Sequence, residues 1–152
     1  MLVGIKPCIP PDLLYTLARM GHGDELVLVD AFYPAYSSNA NVVRCDGSDV
    51  CELLDGILSL INLDSFVEAP VTMMEAANGD VLDAQMLLDF RAAIDRHWPQ
   101  TPPIAMQERG AFVARSTRAF AIVQTGETRK YGNIILKKGV TPLAADAGVI
   151  NP

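Results

Sequence analysis

Short apolar runs alternate with amphipathic ones along the whole chain. In "PPDLLYTLARMG", Leu13, Leu14, Leu17 and Met20 recur at helical spacing. Pro11 suits the first turn of that helix, and Gly21 is placed to stop it. "ELVLVD" reads as a short strand with apolar residues on both faces, ended by Asp30. "AFYPAYSSNA" reads as a loop, punctuated by Pro34, Ser37, Ser38 and Asn39. "NVVRC" is a second strand, and "SDVCELLDGILSLI" a helix with Asp49 and Glu52 at N-cap and N3 spacing. "SFVEAPVTMMEA" is strand-like, although Pro70 disfavours an unbroken central ladder. "DAQMLLDFRAAIDRHW" is amphipathic and helical, closed by Pro99. "IAM" fits a strand and "ERGAFVARSTRA" a helix despite Gly110. "FAIVQTG" and "NIILKKG" are strands joined by polar "ETRKY", a segment whose usual fate is a solvated hairpin.

Strands alternating with helices predict an α/β fold: a single three-layer domain with a mostly parallel sheet flanked by helices. One domain is expected over residues 1–152, with 141–152 as an extra C-terminal tail. In such sheets ligands gather beyond the carboxyl ends of the strands, where Asp30 falls. A turn cap explains Asp30 equally well.

Half of the residues are apolar and the mean hydropathy is +0.22, enough for a core and for a face covered by sister subunits. The net charge of −6 offers no basic surplus for phosphates, so no nucleic-acid partner is expected. No apolar run approaches the ~18–20 residues that span a bilayer, so no membrane partner is expected either. "MLVGIKPCIPPDLL" lacks a signal-peptide layout, which makes the cytoplasm the expected compartment. Cys8, Cys45 and Cys51 form an odd, scattered set and read as reduced thiols.

The stretch with most chemical promise is "GHGDE". Glycines on both sides of His22 let the backbone bend towards a ligand, and imidazole exchanges protons near neutral pH. A turn histidine satisfied by local hydrogen bonds is the plainer alternative. His97, at a helix end, is more simply a residue that favours the helix dipole. Tyr131, Gly132 and Asn133 combine a phenol, a bare backbone and an amide, groups that suit sugar hydroxyls or an ordinary turn. Arg109 is a fixed cation for an oxygen-rich ligand or a surface ion pair. There is no H-E-x-x-H motif and no second histidine at ligand spacing, so no metal and no cofactor are expected.

Taken in order, "PDLLYTLARMGHGDELVLVDAFYPA", "VTMMEAANGD", "AFAIVQTGE" and "YGNIILKKGV" resemble the L-fucose mutarotase family, related to D-ribose pyranase. The resemblance runs from about Leu2 to Val140. It implies an isomerase that interconverts the α and β anomers of L-fucose or a related monosaccharide. His22 would be its proton donor, and Asp30, Arg109, Tyr131, Gly132 and Asn133 its substrate-binding residues. It also implies a homo-oligomer, a decamer of stacked pentamers with sites at subunit contacts. Two departures stand out. Phe32 and Tyr33 follow "DA", where the family has Asn or His and then Phe. "RGAFVARS" replaces "RFAFYERA", so Gly110 and Val113 lack aromatic bulk. Phe32, Tyr33 and Tyr36 are candidates to pack on the methyl group of a 6-deoxy sugar. The rival readings are a D-ribose pyranase and a monosaccharide-binding protein without turnover.

Ring opening and reclosure need one proton delivered and one removed, without metal or nucleotide; positioned acid–base groups contribute ~10²–10⁴ in rate. One tension follows from the spacing. Residues 25–30, if extended, hold their ends roughly 17 Å apart at ~3.3 Å per residue. His22 and Asp30 then meet at one sugar only if the glycine loop folds back or if two subunits supply them.

Overall fold

The computed structural model describes residues 2–142; residues 143–152 of the expected tail lie outside the described residues. The chain runs α1 (Pro11–Arg19), β1 (Glu25–Val29), α2 (Ala35–Ser38), β2 (Val42–Cys45), α3 (Val50–Leu58), β3 (Val71–Met74), α4 (Ala84–Asp95), β4 (Ala105–Gln107), α5 (Arg109–Ser116), β5 (Ala121–Thr125) and β6 (Ile134–Lys137). No helix of the described residues is long and apolar enough to cross a membrane.

Local chemistry explains most boundaries. Pro11 opens α1, where a missing N–H costs nothing. Asp49 caps α3 by accepting the Glu52 N–H at 2.8 Å, and Asp83 and Glu108 cap α4 and α5 in the same way. The end of α1 differs from the expectation. Met20 turns into extended backbone and its carbonyl accepts the Lys138 ammonium at 2.9 Å, while the left-handed glycine is Gly23, at φ +86°. The segment read as a loop contains the one-turn helix α2. It is pinned by Asn39, whose amide donates to the carbonyls of Ser116 and Ala119.

The six strands lie in the order β2-β5-β1-β6-β3-β4. Five run in one direction, and β6 opposes both of its neighbours, β1 and β3. The sheet is thus mostly parallel, with one antiparallel strand in its middle. β5 and β6 do not form the hairpin expected from "ETRKY", because β1 lies between them. Pro70 is compatible with an internal strand because β3 starts after it and only its carbonyl is used, by the Lys137 N–H at 2.8 Å.

Alternation along β1 divides the molecule into layers. Leu26 and Leu28 face α1, α3 and α4, packing with Leu13, Leu54 and Phe90. Val27 and Val29 face the smaller layer of α2 and α5, with Tyr33, Ala35 and Phe112. Both faces are covered, which is why "ELVLV" reads as continuously apolar. At the start of β1, Glu25 is clamped by Arg115 of α5 through bonds of 2.9 and 2.8 Å, with Lys137 at 3.4 Å.

Candidate active site

A cavity of about 640 Å³ opens beyond the carboxyl ends of β1 and β3 and the start of β6. That is within the ~300–1,000 Å³ typical of small-molecule sites. Asp30, Met74 and Asn133 form its floor, and Arg109, Gly110 and Val113 of α5 one wall. Phe32, Tyr33 and Pro34 line a second side, and Thr128, Lys130 and Tyr131 a third.

Asp30 is nearly buried, lines the cavity and caps the turn that leaves β1. Its Oδ1 accepts the Phe32 N–H at 3.0 Å, which caps the turn leaving β1. Its Oδ2 accepts the Tyr131 N–H at 3.0 Å and the Asn133 amide at 3.2 Å. Asn133 returns the contact by accepting the Asp30 N–H through Oδ1 at 2.8 Å. Gln124 closes the frame by donating to the Asp30 carbonyl at 2.6 Å. Burial pushes the Asp30 carboxyl above its ordinary value, against the opposing pull of the Phe32 and Tyr131 N–H groups and the Asn133 amide. A carboxylate has about four acceptor positions, so capacity for a sugar hydroxyl remains.

Tyr131 reaches this position at a backbone cost. Its φ of +64° is left-handed, a conformation that costs a non-glycine residue roughly 1–2 kcal/mol. The return is an N–H aimed at Asp30, while the phenol donates to Asp80 at 2.9 Å on the cavity rim. Gly132 does not line the cavity. A Cβ there would come within 2.7 Å of Glu127 Cγ and 3.1 Å of the Arg129 carbonyl, so its bareness serves packing behind the site. Glu127 in turn holds Arg129, which also reaches Asp89 at 2.7 Å, and the network stiffens the loop that carries Tyr131. Arg109 lines the cavity, and among the described residues no carboxylate lies within ion-pair distance of it. Tyr36 lies outside the lining, stacked beneath the Arg44 guanidinium at 5.8 Å.

His22 lies elsewhere. The glycine loop does not fold back, so His22 and Asp30 sit at opposite ends of β1. The imidazole is half-exposed, with Nε2 3.3 Å from Asp64 Oδ1 and its ring 5.8 Å from that of Phe66. His97, just past the end of α4, contacts Asp55 of α3 at 2.7 Å.

The sequence reading missed several lining residues. Met74 looked like a core position, and Lys130 and Thr128 like a solvated turn; only the antiparallel entry of β6 brings that turn to the end of β1.

The model of the RbsD / FucU transport protein family matches residues 3–141. The chain belongs to this family. An L-fucose mutarotase of Actinobacillus pleuropneumoniae serotype 5b is 52% identical over 143 residues, covering 94% of this chain and 99% of that protein. The L-fucose mutarotase of Haemophilus influenzae (strain PittGG) is 48% identical with the same coverage. Among solved structures, the fucose mutarotase of Streptococcus pneumoniae in complex with L-fucose superposes with a TM-score of 0.87 at 46% identity, covering 93% of this chain and all of that one. Bacillus subtilis RbsD complexed with D-ribose shares the fold at a TM-score of 0.66 and 20% identity, covering 88% of this chain and 95% of that one. The mixed sheet flanked by helices is therefore the fucose mutarotase fold.

Proposed function

We propose that the chain is an L-fucose mutarotase, an isomerase that interconverts the α and β anomers of L-fucose through the open-chain aldehyde. The observation that carries this is identity of about half over nearly the full length to L-fucose mutarotases, joined to a cavity floored by the Asp30–Asn133 pair. The D-ribose reading is weaker, because RbsD is only 20% identical.

In this reading, Asp30 and Asn133 hold sugar hydroxyls, Arg109 fixes a further oxygen, and Tyr131 orients the ring at the rim. Gly132 contributes by letting the Tyr131 turn close on Glu127. Phe32 and Tyr33 give the methyl group an apolar surface. His22 moves a proton at the ring or anomeric oxygen, and a neighbouring copy supplies it, because β1 separates it from Asp30. The His22 end of one copy then meets the Asp30 end of the next, and a head-to-tail contact of this kind is completed by closing into a ring. We place the protein in a homo-oligomer of ring form, a decamer as the family resemblance implies. Three free thiols suit a reducing cytoplasm.

The test is NMR saturation transfer between the anomeric protons of L-fucose, D-galactose and D-ribose at equal concentration. L-fucose should exchange fastest, and His22→Gln should cut that exchange by at least ~10²-fold with the fold intact. A preference for D-ribose, or binding without exchange, would refute the assignment.

A further inference from the structure

We infer that the end of the cavity against α5 is a recess for carbon at C6 of the sugar: it admits a longer apolar chain there and rejects a hydroxyl. Gly110 and Val113 set its length. The inference rests on the L-fucose mutarotase reading and names the class of sugar that the site takes, 6-deoxy sugars whose C6 end is extended by carbon alone.

The cavity is larger than its occupant. A water takes up about 30 Å³, and by the same measure a sugar of six carbons and five oxygens takes up about 200 Å³. The cavity holds about 640 Å³. Its hydroxyl-binding groups are gathered on the floor, on the side formed by residues 128–131 and at Arg109. The remaining lining is Phe32, Tyr33, Pro34, Gly110 and Val113. These five form one surface, because Tyr33 and Val113 pack in the same apolar cluster under α5. Phe32, exposed in the single chain, is its outer lip.

The polar groups of that surface are already engaged. Ser116 Oγ donates to the Val113 carbonyl at 2.7 Å, so it accepts the proton of the Tyr33 hydroxyl, also at 2.7 Å. Tyr33 therefore offers the cavity only the carbon of its ring. The Gly110 and Ala111 N–H groups are held by the Glu108 carboxylate at 2.7 and 3.0 Å. The Phe32 N–H donates to the Asp30 carboxylate and the Tyr33 N–H to the Asp30 carbonyl, while Pro34 has no N–H. Among the described residues of this surface, no side-chain or loop N–H or O–H is left for a ligand.

Its depth comes from two small residues. Positions 110 and 113 lie one turn apart on the cavity side of α5. The three atoms closest to a Cβ at Gly110 all belong to the Glu108 carboxyl group, at 3.0 to 3.6 Å, so the rest of the lining stands back from it. Val113 ends at its two methyl groups. In the proposed pose the methyl group of L-fucose rests on Phe32 and Tyr33, and the recess begins where that methyl group ends. Carbon entering it leaves water for apolar walls, which is favourable. A hydroxyl entering it sheds its water and finds no partner.

The test compares L-fucose, L-galactose (L-fucose with a hydroxyl on C6) and L-fucose with an ethynyl group in place of its methyl. Anomer exchange is measured by NMR saturation transfer at equal, subsaturating concentration and divided by the rate of the same sugar without protein. The ethynyl sugar should fall within about threefold of L-fucose, and L-galactose at least about tenfold below both. Val113→Phe should lower the ethynyl sugar at least about tenfold relative to L-fucose on the same variant. Three results would each overturn the inference while leaving L-fucose exchange, and the mutarotase reading, intact. These are a parent that rejects the ethynyl sugar about tenfold, L-galactose turned over as fast as the ethynyl sugar, or Val113→Phe lowering both sugars alike. Absence of exchange with L-fucose would overturn the mutarotase reading instead; dissociation constants of the three sugars, titrated on the parent by NMR, then decide the recess by the same ratios. Binding of none of them would overturn both. The parent comparison needs no variant, so a Val113→Phe chain that fails to fold leaves the test standing.

Discussion

Replacing Asn133 by aspartate probes the cavity floor with almost no change in shape. Nδ2 of Asn133 lies 3.2 Å from Asp30 Oδ2, and both residues are nearly buried. In Asn133→Asp that donor becomes a carboxylate oxygen. Two ionised groups at this separation would repel by about 5 kcal/mol at an effective dielectric of ~20. Binding one shared proton is cheaper. Holding a proton at pH 7 on a group with an ordinary value near 3.8 costs about 4 kcal/mol, at about 1.4 kcal/mol per pH unit. The pair therefore takes up a proton, and its folded-state value is raised. A raised value gives stability that is complete below the unfolded value and is lost as pH rises through the folded one. The variant should be about 4 kcal/mol less stable than the parent at pH 7 and only about 1.5 kcal/mol less stable at pH 5. Urea unfolding at both pH values and one protein concentration measures this double difference. A deficit that is equal at pH 5 and pH 7 would refute the geometry assigned to Asp30 and Asn133.

Two further outcomes rest on other parts of the molecule. Burial acts to raise the Glu25 carboxyl, but Arg115 and Lys137 outweigh it and hold it below its ordinary 4.5. A lowered value gives stability that is complete above the unfolded value and lost as pH falls, so urea midpoints of the parent should decline below pH 4.5 and those of Glu25→Gln should decline less steeply. Gly126→Ala would put a Cβ 2.3 Å from the Asp46 carbonyl oxygen, a backbone atom, and should lower the unfolding free energy by roughly 1–3 kcal/mol or more by the same measurement.

The elements that hydrophobic periodicity revealed were those whose burial is set by their own residues. α1, α3 and α4 repeat apolar positions at helical spacing, and β1 is apolar on both faces because helices cover both. The antiparallel course of β6 left no such trace. "NIIL" is apolar in either direction, and its partners are fixed by the strands beside it. α2 was too short for a periodic signal. At the site, Asp30 was visible because it ends an apolar run, and Tyr131–Asn133 because the resemblance marked them. Met74 was hidden because a cavity wall and a core use the same side chains.

The five residues of β1 hold His22 and Asp30 apart, and on the shared-site reading this has a genetic consequence. A chain that has lost its histidine still offers an intact floor to its neighbour, and a chain that has lost its aspartate still offers an intact imidazole. Two dead alleles expressed in one cell would then rescue each other, with roughly a quarter of the contacts in a randomly mixed ring carrying both functional halves. Either allele expressed alongside the normal one would silence sites only in proportion to its share of the chains. Inheritance of the activity would follow the assembly rather than the polypeptide.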